Sequence, residues 1–229
     1  LEASNGAVQW LTTYPRAAID PRDPDRDLAY TLRDLNPCLV HGDMVIVAPA
    51  DCDHLFALDA ITDRYGDGDQ PFDPYQLPGI ELLGALELAR EADGVSIHSL
   101  SALAWDRDEA ILYAVSDQAR LYHFRPLFAD GRLVSLDYLE SHPLRGKDGD
   151  RLKGRKSDSE GAHVMHGDNG KQGDSEILVA FERDPRIERY SPDGNYLGKI
   201  KLPKALRKVE NYSAPNNALE CVTWHPRYG

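Results

Sequence analysis

Cysteine, methionine and long apolar runs are the scarce things in this sequence of 229 residues. Three cysteines are too few for a disulfide scaffold. Cys38 and Cys52 are placed to pair across adjacent strands or to remain two buried thiols, and Cys221 is then left over. No apolar stretch approaches the ~20 residues that a bilayer crossing requires, so a membrane-spanning helix is excluded. Positive charge is also short: 26 Lys and Arg face 38 Asp and Glu, a net charge of −12. That balance argues against non-specific nucleic-acid binding and repels phosphate-rich ligands unless cations intervene. No Gly-x-Ser-x-Gly elbow occurs, which argues against an α/β-hydrolase mechanism despite Ser116-Asp117 and Ser159-Glu160. No signal peptide is visible, but the chain opens on Leu1 rather than Met, so this absence does not place it in the cytoplasm.

What is present is punctuation. Fifteen Pro and 18 Gly are spread along the length, as in a chain of many short elements joined by turns. Short β-branched runs such as Leu39-Val40, Met44-Val45-Ile46-Val47 and Leu55-Phe56-Ala57-Leu58 predict successive antiparallel strands. Ile80 to Leu88 fits a helix on propensity and a strand on alternation, and the β context on both sides decides for a strand. Residues 15–30 form a charged surface insertion, and residues 65–79, rich in Asp, Gly and Pro, read as a linker between residues 1–64 and 80–229.

The second half repeats. Ser101-Ala102-Leu103-Ala104-Trp105, Glu160-Gly161-Ala162-His163-Val164 and Glu220-Cys221-Val222-Thr223-Trp224 recur at spacings of 59 and 60 residues. Ile111 to Asp117 matches Ile177 to Arg183, and Asp130-Gly131 matches Asp193-Gly194 as a hairpin turn. Each unit holds four strands, so the sequence predicts an all-β protein, a β-propeller of four-stranded antiparallel blades. Three fairly complete blades can be counted where closure requires at least four, so the propeller is expected to be partial or truncated. A missing segment of chain or a protein partner would complete it.

These residues carry two resemblances. Ser101 to Trp105, Leu112 to Asp117, Asp158-Ser159-Glu160-Gly161, Phe181-Glu182-Arg183 with Pro185-Arg186-Ile187, and Asn217-Ala218-Leu219-Glu220 together resemble the phytase-like propeller family, over about residues 80–229. The resemblance implies a propeller, a hydrolase with esterase-like activity, export to the periplasm or outside the cell, and calcium held by channel carboxylates. Residues 1–64 resemble repeats of the pyrroloquinoline-quinone type, through Leu1 to Gly6 with Trp10 and Leu58 to Asp63. Such repeats also occur in propellers without a quinone, so quinone binding does not follow.

In a propeller, equivalent positions of successive blades converge although they lie about 60 residues apart. Ser101, Glu160 and Glu220 form one such set; Asp117, Glu182 and Arg183 form another. Converging carboxylates repel unless a cation neutralises them, and hard oxygen donors suit Ca²⁺. Asp158, Glu160 and Glu220 are therefore the expected metal ligands, and Glu160, Glu182 and Glu220 the expected catalytic carboxylates. Arg183, Arg186, Asp117 and Asn217 would bind a small anionic ester. The competing reading makes the glutamates partners of backbone amides and Glu182 and Arg183 members of structural ion pairs, in a non-catalytic scaffold. His163, His166, Asp168, Asn169 and Asp174 read as a solvated loop rather than a zinc site. Asp67-Gly68-Asp69 lacks the Glu of an EF-hand. The basic run from Lys147 to Lys156 reads as solvated surface, with anion recruitment as the alternative.

Overall fold

A computed structural model describes residues 38–41, 44–47, 54–60, 80–212 and 218–224. The repeats at the N-terminus, the insertion at 15–30, the segment 65–79, Cys52 and Asn217 lie outside the described residues.

Strands β1 (Cys38–His41), β2 (Met44–Val47), β3 (His54–Ala60) and β4 (Ile80–Glu87) form an antiparallel sheet in that order. Its fourth strand comes from beyond the Asp/Gly/Pro-rich segment, so the sheet draws on both sides of it. A small hairpin follows, β5 (Glu91–Ala92) and β6 (Val95–Ser96). The second large sheet comprises β7 (Leu100–Asp106), β8 (Ile111–Ser116), β9 (Arg120–Ala129) and β10 (Arg132–Pro143). The third comprises β11 (Ser159–Met165), β12 (Glu176–Phe181), β13 (Arg186–Tyr190) and β14 (Tyr196–Ile200). Each sheet is an up-and-down meander, and the first strands β1, β7 and β11 lie side by side. This is the β-propeller architecture that the repeats predict, with the first strand of each blade innermost.

Local chemistry explains the turns. Asp130 and Gly131 both have positive φ, 51° and 73°, as the two-residue hairpin between β9 and β10 requires. The packing explains the runs. Both faces of β8 are covered: Leu112 and Ala114 join Ile46, Leu55 and Ala57 of the first blade. Tyr113 and Val115 join Ile177, Val179 and Phe181 of the third. A strand pressed between two sheets needs apolar residues at every position, which is why 111–115 reads as a continuous apolar run without alternation. Each fully buried side chain such as Leu112 contributes about 1.5–3 kcal/mol.

One expected strand is not formed. Residues 218–224 carry no strand among the described residues, although Cys221 and Val222 lie against β11 at Gly161. Strand structure needs a hydrogen-bonded neighbour, and among the described residues no strand pairs with 218–224, which packs on β11 without joining its sheet. His163 also departs from its expected place: it lies on β11, not in the loop that follows. That loop is tied to the preceding blade, with the Asn169 and Gly170 amides donating to the Asp108 carboxylate. Buried Asp106 accepts from the Ser175 hydroxyl.

Candidate functional site

The same construction recurs where two inner strands begin. In β7 the pairing with β8 shifts register around Ser101, and in β11 the pairing with β12 shifts around Glu160. Both residues are thus the extra residue of a β-bulge, a device that re-aims a side chain. The adjoining backbone bonds repeat as well. Asp117 N–H donates to the Ser99 carbonyl at 3.1 Å, and Glu182 N–H donates to the Asp158 carbonyl at 2.9 Å. The structure therefore places Ser101 with Glu160 and Asp117 with Glu182, as the repeat predicts.

The contents of the two corners differ. The Ser101 hydroxyl donates to the carbonyls of Ser159 and Val115, joining the second blade to the third. Ser159, wholly buried, donates to the Ser116 carbonyl at 2.6 Å, so its hydroxyl is spent on joining blades rather than poised as a nucleophile. In the third blade, Asp158, Glu160 and Glu182 bring carboxylate oxygens within 4.8 Å of one another. Glu182 is buried, and its carboxyl is hydrogen-bonded to Glu220 and accepts from the Ala218 amide at 3.4 Å. Arg183 Nε lies 2.9 Å from Asp158 Oδ2.

The electrostatics follow from crowding in a partly dry place. Burial pushes the Glu160 carboxyl up to about 9, and the neighbouring Asp158, Glu220, Glu182 and Asp117 push in the same direction. Burial and Glu220 raise Glu182 to about 8. Burial raises Asp158 too, although Arg183 pulls it back. Without an added cation, the corner holds protons at neutral pH. With one, every donor is an oxygen, the set a hard cation such as Ca²⁺ prefers.

Not every expected residue joins the cluster. Arg186 stacks 3.7 Å over the Phe181 ring, pairs with Glu188 at 3.0 Å and donates to the Lys156 carbonyl at 2.6 Å. Its guanidinium is occupied in docking the 154–156 turn against β13. Lys147, Arg151, Lys153 and Lys156 line a groove with Arg186, Lys199, Lys201 and Arg207, so the basic run is one wall of an open surface. Sequence reasoning missed a second group, His123, Glu140 and His142, whose ligand atoms also lie within 4.8 Å of one another. The only signal was the i, i+2 spacing of Glu140 and His142, which puts both on one face of a strand.

No helix among the described residues is long and apolar enough to cross a membrane. No curated protein matches the chain. Similar solved structures include a functionally unknown protein from Desulfotomaculum acetoxidans (11% identity, TM-score 0.43), the Dos1 propeller (10%, 0.35) and Saccharomyces cerevisiae Sqt1 (11%, 0.33). They cover 80%, 69% and 69% of this chain, which spans only 44%, 33% and 45% of theirs. The Phytase-like family, described as having the esterase-like activity of phytase, matches residues 95–228, more than half of the chain and all of the acidic corner. The match does not extend to the quinone-type resemblance of residues 1–64. The chain belongs to the phytase-like family of β-propellers.

Proposed function

We propose that the acidic corner is a calcium-dependent site for hydrolysing a small anionic ester, a phosphoester or carboxylic ester. The observation that carries this reading is the convergence of Asp158, Glu160 and Glu182 within 4.8 Å, with Glu220 hydrogen-bonded to Glu182. The donor set fits the ion: Asp158, Glu160, Glu182 and Glu220 offer only oxygen, and their mutual repulsion is relieved by a divalent charge. Bound there, Ca²⁺ would polarise the ester oxygen. Arg183, 39% exposed beside Asp158, would bind the anionic group, and the Glu182–Glu220 pair would hold or release a proton near neutral pH. The basic groove beyond Lys156 and Arg186 would raise the local concentration of an anionic substrate on this acidic chain. A weak all-oxygen calcium site suits the periplasm or the extracellular medium, where the ion is abundant.

A second reading has its own support. Glu182 accepts the Ala218 amide and bonds Glu220, so the pair also latches the 218–224 segment onto the third blade. On this reading the protein is a non-catalytic propeller that binds a ligand or a protein partner. Release of phosphate from phosphomonoesters and of p-nitrophenol from p-nitrophenyl esters, with calcium or with chelator, separates the two. The enzyme predicts calcium-dependent turnover that Glu160→Gln abolishes. No turnover across the panel, with calcium binding intact, sinks the hydrolase and leaves the scaffold.

A further inference from the structure

His123 and His142 belong to neighbouring strands of the second blade, whereas the acidic corner is built on the third. The β9–β10 pairing shifts register between Tyr138 and Glu140, which makes Leu139 the bulged residue and sets Glu140 opposite His123. Glu140 and His142, two apart on one strand, then share its face. The result is a three-sided group: His123 Nδ1 lies 3.3 Å from Glu140 Oε1, and His142 Nε2 lies 3.2 Å from Glu140 Oε2.

The surroundings hold the first of these rings in place. His123 Nε2 lies 3.0 Å from the Pro192 carbonyl in the β13–β14 turn of the next blade. A carbonyl can only accept, so Nε2 carries the hydrogen. The ring is 97% buried against the edge of Tyr113, and burial pushes its basicity down. With Nε2 turned to the Pro192 carbonyl, His123 presents Nδ1 to the Glu140 carboxylate at 3.3 Å. His142 Nε2 is buried and makes no hydrogen bond, although Glu140 is 3.2 Å away. Two imidazole nitrogens and a carboxylate oxygen within 4.8 Å of one another form a donor set that suits a divalent cation. An imidazole that donates its other N–H to a backbone carbonyl is the usual support of a metal-ligating histidine. Bonds of about 2.0–2.1 Å from a tetrahedral zinc ion place ligand atoms roughly 3.3–3.4 Å apart, close to the two nitrogen-to-carboxylate separations.

We propose that His123 Nδ1, His142 Nε2 and the Glu140 carboxylate form a divalent transition-metal site, zinc by its donor set, where the second blade meets the third. Two histidines and one carboxylate leave at least one coordination position, and Glu140, 55% exposed, turns it toward solvent. The metal would tie β9 and β10 together, and through the Pro192 carbonyl it would brace the next blade's turn. The proposal is independent of the acidic corner, whose oxygen donors favour a different ion.

The test uses the full chain, stripped with chelator and titrated with Zn²⁺ against a chromogenic competitor, then with Co²⁺ for its ligand-field spectrum. One equivalent of zinc is expected, with a raised melting temperature and a tetrahedral cobalt spectrum. His142→Ala and Glu140→Gln, both at partly exposed positions that leave the buried His123 ring in place, should weaken zinc at least tenfold. Glu160→Gln should leave it unchanged. Equal zinc affinity in wild type and both ligand variants, or no zinc binding by folded wild type, overturns the proposal.

Discussion

The inner corners of the second and third blades share a backbone and differ in chemistry. Both carry a bulge at the same position and the same amide-to-carbonyl bond behind it. In the second blade the bulged residue is Ser101, whose hydroxyl is consumed by carbonyls of its own and the next blade. In the third it is Glu160, crowded by Asp158, Glu182 and Glu220 until its carboxyl rises to about 9. The fold accepts a small hydroxyl at this position, so it does not itself demand an acid. A residue that the fold does not need, and that burdens it electrostatically, is what the proposed site would account for.

That contrast can be broken experimentally. The largest effect is expected from Glu160→Gln combined with Glu182→Gln. Outer-shell changes cost about 10–100-fold in metal affinity, so removing two ligands should lower calcium affinity by at least about 100-fold in calorimetry. Unchanged calcium binding would make the acidic corner as structural as the serine one. Next comes Gly161→Ala. A Cβ there would lie 2.7 Å from Cys221 Cα and 2.8 Å from the Val222 nitrogen, backbone that cannot swing aside. Overpacking of this kind costs about 1–3 kcal/mol, and displacing Glu220 should also weaken calcium; denaturant unfolding with a calcium titration reads both. The neighbouring repeat has Ala102 at the matching place, so the second blade accommodates a Cβ where the third does not.

Ser101→Ala should cost about 1–2 kcal/mol in chemical denaturation, because the Ser159 and Val115 carbonyls lose a donor. Calcium affinity should not move. The smallest effect concerns pH. Glu160 is raised from 4.5 to about 9, so between these values the folded chain keeps a proton that the unfolded chain has released. Stability from this group therefore falls as pH rises through that window and levels off above it. In chelator, Glu160→Gln should match wild type near pH 4 and be more stable by at least about 1 kcal/mol near pH 9. A difference independent of pH would mean that Glu160 is not held protonated.

Much of the architecture was legible because its causes are local. Asp130-Gly131 announces a tight hairpin whatever surrounds it, and the run 111–115 announces a strand. The pairing of Glu160 with the Ser101 position was legible too, since a repeat spacing carries structural equivalence. Arg186 was not: three residues from Arg183, it turns to Phe181, Glu188 and the Lys156 carbonyl. Nor was the loss of strand structure at 218–224, because a strand depends on a partner that its own residues do not encode.

The sequence by itself determined the all-β class, the four-stranded repeat, its turns and the family to which the chain belongs. Only the tertiary structure decided that Glu160 and Glu220, one repeat apart, share a corner with Glu182. It alone brought His123 against Glu140 and His142, through one bulge and one carbonyl from the next blade. Strand period and turn chemistry act over a few residues and can be read along the chain. The meeting of side chains 17 to 60 residues apart depends on how strands register and blades dock, and that is set by packing between sheets.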